Sequence, residues 1–156
     1  MLKNPSVAMM FCIALLSPAG WIFNATLNPM IHVIAICVGA SAGALARWQL
    51  GLWLNSNAAL PWGTLAANLI GGYLVGVCMG VFNALPQLDP VWRVALITGF
   101  LGALTTFSSF SAEVVSMLQQ SRYALALGTA ALHLLGSLLL TVLGLKTAVL
   151  FMASRA

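Results

Sequence analysis

Long apolar runs, separated by short segments of polar residues and prolines, dominate the chain. A bilayer-spanning helix needs about 20 mostly apolar residues, and four of the runs reach that length. The sequence therefore predicts membrane helices over residues 30–54, from the Pro61-Trp62-Gly63 turn to residue 85, over 91–118 and over 123–151. Pro61 suits a helix start.

The composition agrees with a membrane protein and excludes most soluble classes. The 156 residues are 62% hydrophobic and only 5% charged, whereas an ordinary globular domain carries roughly a quarter charged residues. The lysines and arginines occur one at a time along the chain, so no basic stripe is present to neutralise phosphates. We therefore expect an all-α, multi-pass membrane protein that contacts lipid and binds no nucleic acid.

Residues 1–29 allow three interpretations. Lys3, followed by an apolar run and then small residues, is typical of a signal peptide. Alternatively, residues 7–27 form a poor spanning helix, weakened by Ser17, Pro18 and Asn24. In the third interpretation the segment extends the chain upstream of a real or ancestral start at Met30.

Charge specifies the orientation of the helices poorly. Counted from residue 30, one side of the membrane holds Arg93, Lys146 and Arg155, and the other holds Arg47 and Arg122. This is a weak positive-inside bias, which permits insertion in both orientations and hence an antiparallel homodimer. If Arg47 and Lys146 lie too deep in the membrane to count toward the positive-inside bias, a small but definite bias toward one orientation remains. Charge alone favours neither this single orientation nor insertion in both.

Two of the predicted helices carry small and polar residues at four-residue spacing. The faces are formed by Thr64, Asn68, Gly72, Gly76 and Gly80 on the second helix and by His133, Ser137 and Thr141 on the fourth. Such a face packs on protein, because glycine gains nothing from lipid but lets helix backbones approach. Asn68 is then either a hydrogen-bonding contact between helices or a donor for a permeating ion. We interpret His133 as a hydrogen-bonded packing residue, since no carboxylate lies within a turn of it.

The third helix contains the segment GFLGALTTFSSFS over residues 99–111, which places glycines and hydroxyl groups at bilayer depth. This composition favours neither a straight helix nor lipid contact, and we predict a break around residues 102–106. Unwound backbone at that depth must be buried in protein or line a water-filled path, and its carbonyls can coordinate a cation. Phe107 and Phe110 share a face. They either pack in the core or turn their electropositive ring edges toward an anion.

Two charged residues qualify this picture. Glu113 is the only acid within a predicted span, and an anion path should be lined by donors and avoid carboxylates. Arg47, near the end of the first helix, either attracts anions into a vestibule or anchors the helix end. Four helices pack around a core filled by side chains, so we expect a pore to form between subunits.

These motifs resemble the Fluc/CrcB family of small fluoride channels. The matching segments are GASAGALARW at 39–48, GTLAAN at 63–68 and residues 99–113, with Gly136, Ser137 and Thr141 on the fourth helix. The resemblance covers residues 30–152, which we take as the channel domain, and leaves 153–156 as a C-terminal tail. Members of the family usually begin close to where Met30 lies, so we favour the interpretation of residues 1–29 as an extension.

The resemblance implies a passive, fluoride-selective channel that exports fluoride across the bacterial inner membrane and relieves fluoride toxicity. It also implies a dual-topology antiparallel homodimer with a structural sodium ion at its centre, bound by the backbone carbonyls of Gly102 and Thr105 of each subunit. The fluoride pathway that it implies consists of Asn68, Phe107, Phe110, Ser108, Ser109, Ser137 and Thr141. Arg47 and Glu113 are left with vestibule or structural roles.

Three other functions are a multidrug transporter, a non-transporting membrane protein and an enzyme. A proton-coupled small multidrug transporter needs a membrane-embedded carboxylate, usually on the first helix, and residues 30–54 contain none. A non-transporting membrane protein would use the glycine faces for assembly alone. An enzyme is not expected, because the acids and histidines form no local constellation and the HExxH motif is missing.

Overall fold

The computed structural model describes residues 29–55 and 61–154, which form a bundle of long helices. The helices are α1, Pro29–Leu54; α2, Trp62–Ala84; α3, Pro90–Gln119; and α4, Tyr123–Ala153. All four are long and apolar enough to cross a membrane. The predicted all-α, four-helix membrane architecture is confirmed, and its helix ends agree within two residues. The predicted extension lies outside the described residues, apart from Pro29, which begins α1.

Polar side chains at the loops satisfy backbone donors at the start of α2 and of α3. The Asn55 side chain accepts the N–H of Gly63 at 2.8 Å, which satisfies a backbone donor in the first turn of α2. At the start of α3, the Asp89 carboxylate accepts the N–H of Val91 at 2.9 Å in the same way.

The third helix is not uniform. It begins as a short α-helical turn, Pro90–Arg93, continues as a π-helix over Val94–Leu101 and returns to α-helix at Gly102–Leu104. Thr105 and Thr106 are then extended, with φ and ψ of −80° and 152° and of −150° and 118°. The α-helix resumes over Phe107–Gln119. The interruption is shorter than the predicted break around residues 102–106, because Gly102–Leu104 remain helical and only Thr105 and Thr106 are extended.

The bundle consists of two closely packed helix pairs, α2 with α4 and α1 with the first half of α3. A Cβ atom added to Gly76 would overlap the carbonyl oxygen of Thr141 on α4, and one added to Gly43 would overlap that of Phe100 on α3. Backbone approach this close is possible only where no side chain intervenes. The prediction that the glycine face of α2 packs on protein is confirmed.

Candidate functional site

Asn68 ties α2 to the interruption of α3. Its Nδ2 donates to the carbonyl oxygen of Thr106 at 3.0 Å, and its Oδ1 accepts the N–H of the same residue at 2.7 Å. The side-chain amide thus satisfies both polar groups of an extended residue that has no helical neighbour to pair with. Of the two roles weighed for Asn68, the hydrogen-bonding contact between helices is confirmed, whereas donation to an ion stays a prediction.

His133 joins the same cluster from α4. It is only 4% exposed, its Nδ1 lies 3.0 Å from Asn68 Nδ2, and its ring stacks on Phe110 with centroids 4.5 Å apart. Because the Asn68 amide is oriented by both backbone groups of Thr106, its remaining N–H faces Nδ1. Nδ1 must then be the acceptor, which assigns the neutral imidazole with its proton on Nε2. His133 is thus buried, stacked on Phe110 and hydrogen-bonded at Nδ1, whereas its Nε2 has no hydrogen-bonding partner among the described residues. These contacts agree with a packing residue, and its role stays a prediction.

The two phenylalanines of the segment contact each other but differ in burial. Their ring centroids are 5.4 Å apart, and the rings meet edge to face at 73°. Phe110 is half-buried against His133, whereas Phe107 is 78% exposed. Phe107 is therefore not a core residue of the single chain. Its ring is open to groups outside the chain.

The predicted hydroxyl groups divide into two sets. Ser108 and Ser109 lie beside the interruption, where their Oγ atoms are 3.3 and 3.0 Å from Thr106 Oγ1. Thr141 lies farther along α4, and its hydroxyl is directed at the carbonyl oxygens of Ser137 and Gly72 at 2.8 and 3.0 Å. The structure brings Asn68, Ser108, Ser109 and Phe110 together, and Ser137 and Thr141 continue the polar face one and two turns away.

Glu113 and Arg47 do not form a pair. The Thr64 hydroxyl donates to Glu113 Oε1 at 2.6 Å, which gives α2 and α3 a second polar contact one turn from Asn68. Glu113 Oε2 and Arg47 Nε are buried and have no hydrogen-bonding partner among the described residues. The vestibule and structural roles proposed for these two residues stay predictions.

The interruption also exposes backbone acceptors. An uninterrupted helix would pair the Gly102 and Thr105 carbonyls with the N–H groups four residues later. Those N–H groups donate instead to Asn68 Oδ1 and Thr106 Oγ1, and no other backbone N–H of the described residues replaces them. Within residues 29–55 and 61–154, no three His, Cys, Asp or Glu side chains come together as ligands. The carbonyl oxygens of Gly102 and Thr105 are hard oxygen donors of the kind that bind a cation in an unwound membrane helix.

Sequence reasoning did not single out Thr106 or the contact between Thr64 and Glu113. The signal for Thr106 was present, because threonine is a favoured N-cap residue and Thr106 directly precedes the helix Phe107–Gln119. The contact between Thr64 and Glu113 joins residues 49 positions apart. No local pattern could have shown it.

Comparison with known proteins identifies the family. The family model described as "CrcB-like protein, Camphor Resistance (CrcB)" matches residues 34–145, which include the whole α2–α3–α4 cluster. A protein of Albidiferax ferrireducens named fluoride-specific ion channel FluC is 75% identical over 124 residues, which are 80% of this chain and 95% of the relative. Proteins of the same name from Variovorax paradoxus and Paracidovorax citrulli are 64% and 56% identical, covering 76% and 80% of this chain and 94% and 98% of theirs. The resemblance found in the sequence is thereby confirmed, and the chain belongs to the CrcB family.

Proposed function

We propose that the protein is a passive, fluoride-selective ion channel that exports fluoride across the bacterial inner membrane and so relieves fluoride toxicity. The observation that carries the proposal is the neutral cluster of amide, imidazole, hydroxyl and phenyl groups where α2, α3 and α4 meet. Membership of the CrcB family and the name of the relatives, fluoride-specific ion channel, support the same function.

The cluster suits an anion that is small and strongly hydrated. Passage requires donors that replace water around the ion without holding it too firmly. Both Nδ2 hydrogens of Asn68 already have acceptors, the Thr106 carbonyl oxygen and His133 Nδ1. Fluoride that reaches Asn68 would take the place of Nδ1 as acceptor, so the amide exchanges one partner for another. The serine hydroxyls and the edge of the exposed Phe107 ring complete the neutral lining.

The proposed channel is an antiparallel, dual-topology homodimer with a sodium ion at its centre. The Phe107 ring is 78% exposed beside a polar cluster, and lipid hydrocarbon could not satisfy the polar groups of that cluster. A second subunit on this face would keep lipid away from the cluster, and the ring would then line a path between the two chains. Gly102 and Thr105 would hold the ion through their carbonyls. Unpaired carbonyls at bilayer depth cost several kcal/mol each, and a bound cation would offset that cost.

The test is anion efflux from liposomes that contain the purified protein, with fluoride- and chloride-selective electrodes as readout in sodium buffer. We expect rapid fluoride efflux without chloride efflux. Phe107→Ala should slow fluoride efflux, whereas the matched variant Phe151→Ala, at an exposed phenylalanine near the end of α4, should not. Equal passage of chloride, or no fluoride efflux above protein-free liposomes, would overturn the proposal.

A further inference from the structure

Thr106 is the residue at which the hydrogen-bonding pattern of α3 is redirected. Its backbone N–H donates to Asn68 Oδ1 at 2.7 Å, and its side-chain Oγ1 accepts the N–H of Ser109 at 3.1 Å. In a continuous α-helix these two N–H groups would bond to the carbonyls of Gly102 and Thr105. One residue therefore leaves both carbonyls without a backbone donor.

The two carbonyls lie where an unpartnered acceptor is unfavourable. Hydrocarbon offers no water to replace a lost hydrogen bond, so freed backbone groups persist only where other groups or a ligand satisfy them. Thr106 is 9% exposed, whereas Gly102 is exposed on the surface of the single chain. Thr105 is half-buried, so both residues that carry the freed carbonyls reach the surface of the single chain, while the residue that frees them is buried. Carbonyls of unwound membrane helices coordinate sodium ions.

We propose that Thr106 is a positioning residue that keeps the carbonyls of Gly102 and Thr105 available to a sodium ion. The hydroxyl acts as the N-cap of the helix Phe107–Gln119, because it accepts the Ser109 N–H that would otherwise donate to the Thr105 carbonyl. The Thr106 backbone N–H donates to Asn68 Oδ1, and it therefore does not donate to the Gly102 carbonyl. This inference rests on the sodium ion of the proposed channel and assigns to Thr106 a role that neither fluoride passage nor packing requires.

The test compares Thr106→Val with Thr106→Ser. Valine has nearly the shape of threonine but lacks the hydroxyl, whereas serine retains it. Thermal unfolding of the detergent-purified protein is measured over a range of Na⁺ concentrations, without fluoride and with N-methylglucamine as the replacing cation. We expect Thr106→Val to raise the Na⁺ concentration of half-maximal stabilisation by about tenfold, equivalent to ~1.4 kcal/mol. Thr106→Ser should stay close to the wild-type value.

A second pair of variants covers the case in which Thr106→Val does not assemble. Thr106→Asn keeps an N-cap acceptor and Thr106→Ala removes it, so the same difference in Na⁺ response is expected between them. Equal Na⁺ responses within either pair would overturn the inference, as would a wild-type protein that Na⁺ does not stabilise. Fluoride efflux from liposomes separates the two proposals, because a wild-type protein that conducts fluoride but shows no Na⁺ response retains the channel function and loses the positioning role.

Discussion

Replacing Asn68 by alanine removes the side chain that joins α2 to both α3 and α4. The lost contacts are those with the Thr106 carbonyl, the Thr106 N–H and His133 Nδ1, at 3.0, 2.7 and 3.0 Å. Hydrogen bonds between membrane helices contribute ~0.6 kcal/mol on average and up to ~1.7 kcal/mol. Three such contacts therefore stabilise the fold by roughly 2–5 kcal/mol. The loss is smaller if α3 closes, since the Thr106 N–H then bonds to Gly102.

The assay is unfolding in mixed micelles by titration with SDS, followed by tryptophan fluorescence. The matched control is Asn83→Ala, which makes the same change in the same helix at an exposed position. We expect the control to lie within ±0.5 kcal/mol of the wild type, as surface substitutions usually do, and to conduct fluoride normally. Asn68→Ala should lose both stability and conduction. If it matched the control in both measurements, the claim that Asn68 holds the interruption open would be refuted.

Three further substitutions test other contacts. Gly76→Ala should destabilise the fold by about 1–3 kcal/mol in the same titration, because its Cβ would overlap the Thr141 carbonyl; Gly128→Ala, with no atom within 4 Å of the added Cβ, should cause no loss. Glu113→Gln keeps the oxygen that accepts from Thr64, so fluoride efflux should remain close to wild type in the presence and absence of a pH gradient, whereas abolition of a proton-coupled flux would indicate a transporter. His133→Phe keeps a ring against Phe110 but removes the acceptor that fluoride would displace at Asn68. The unpaired donor should then hold fluoride more firmly and slow its release, so we expect the efflux rate to fall by about tenfold, equivalent to ~1.4 kcal/mol; a wild-type rate would contradict this.

The positions of the helices followed from the sequence because the responsible forces are local. Apolar runs of membrane length bounded by Pro61 and Pro86 leave few alternatives for where α2 begins and ends. The four-residue glycine spacing likewise predicted a packed face, and Gly76 lies against α4 for the reason expected. Each of these inferences needs only the chemistry of one segment and the thickness of a bilayer.

The geometry of the site did not follow, because its contacts join distant segments. The Asn68 and Thr106 pair spans 38 residues, and nothing near Asn68 in the sequence shows which backbone it will meet. The segment 99–111 predicted an interruption around residues 102–106 from its glycines and hydroxyl groups, and the extended residues Thr105 and Thr106 lie within that range, whereas Gly102 stays helical. Composition showed that the helix was weak there. The contact with Asn68 determines which backbone groups leave the helical hydrogen-bonding pattern.

Asn68 and Thr106 also show why the anion and cation sites of the proposed channel cannot vary independently. Oδ1 and Nδ2 belong to one planar amide, so rotation that brings Nδ2 toward an anion also moves Oδ1 relative to the Thr106 N–H. A change at Asn68 must therefore alter both fluoride donation and the freedom of the Gly102 carbonyl. The Thr106 hydroxyl acts on Thr105 through Ser109 alone. Substitution of Thr106 should thus weaken sodium binding while Asn68 still holds its fluoride-donating N–H in place. Substitution of Asn68 should impair both sodium binding and fluoride passage.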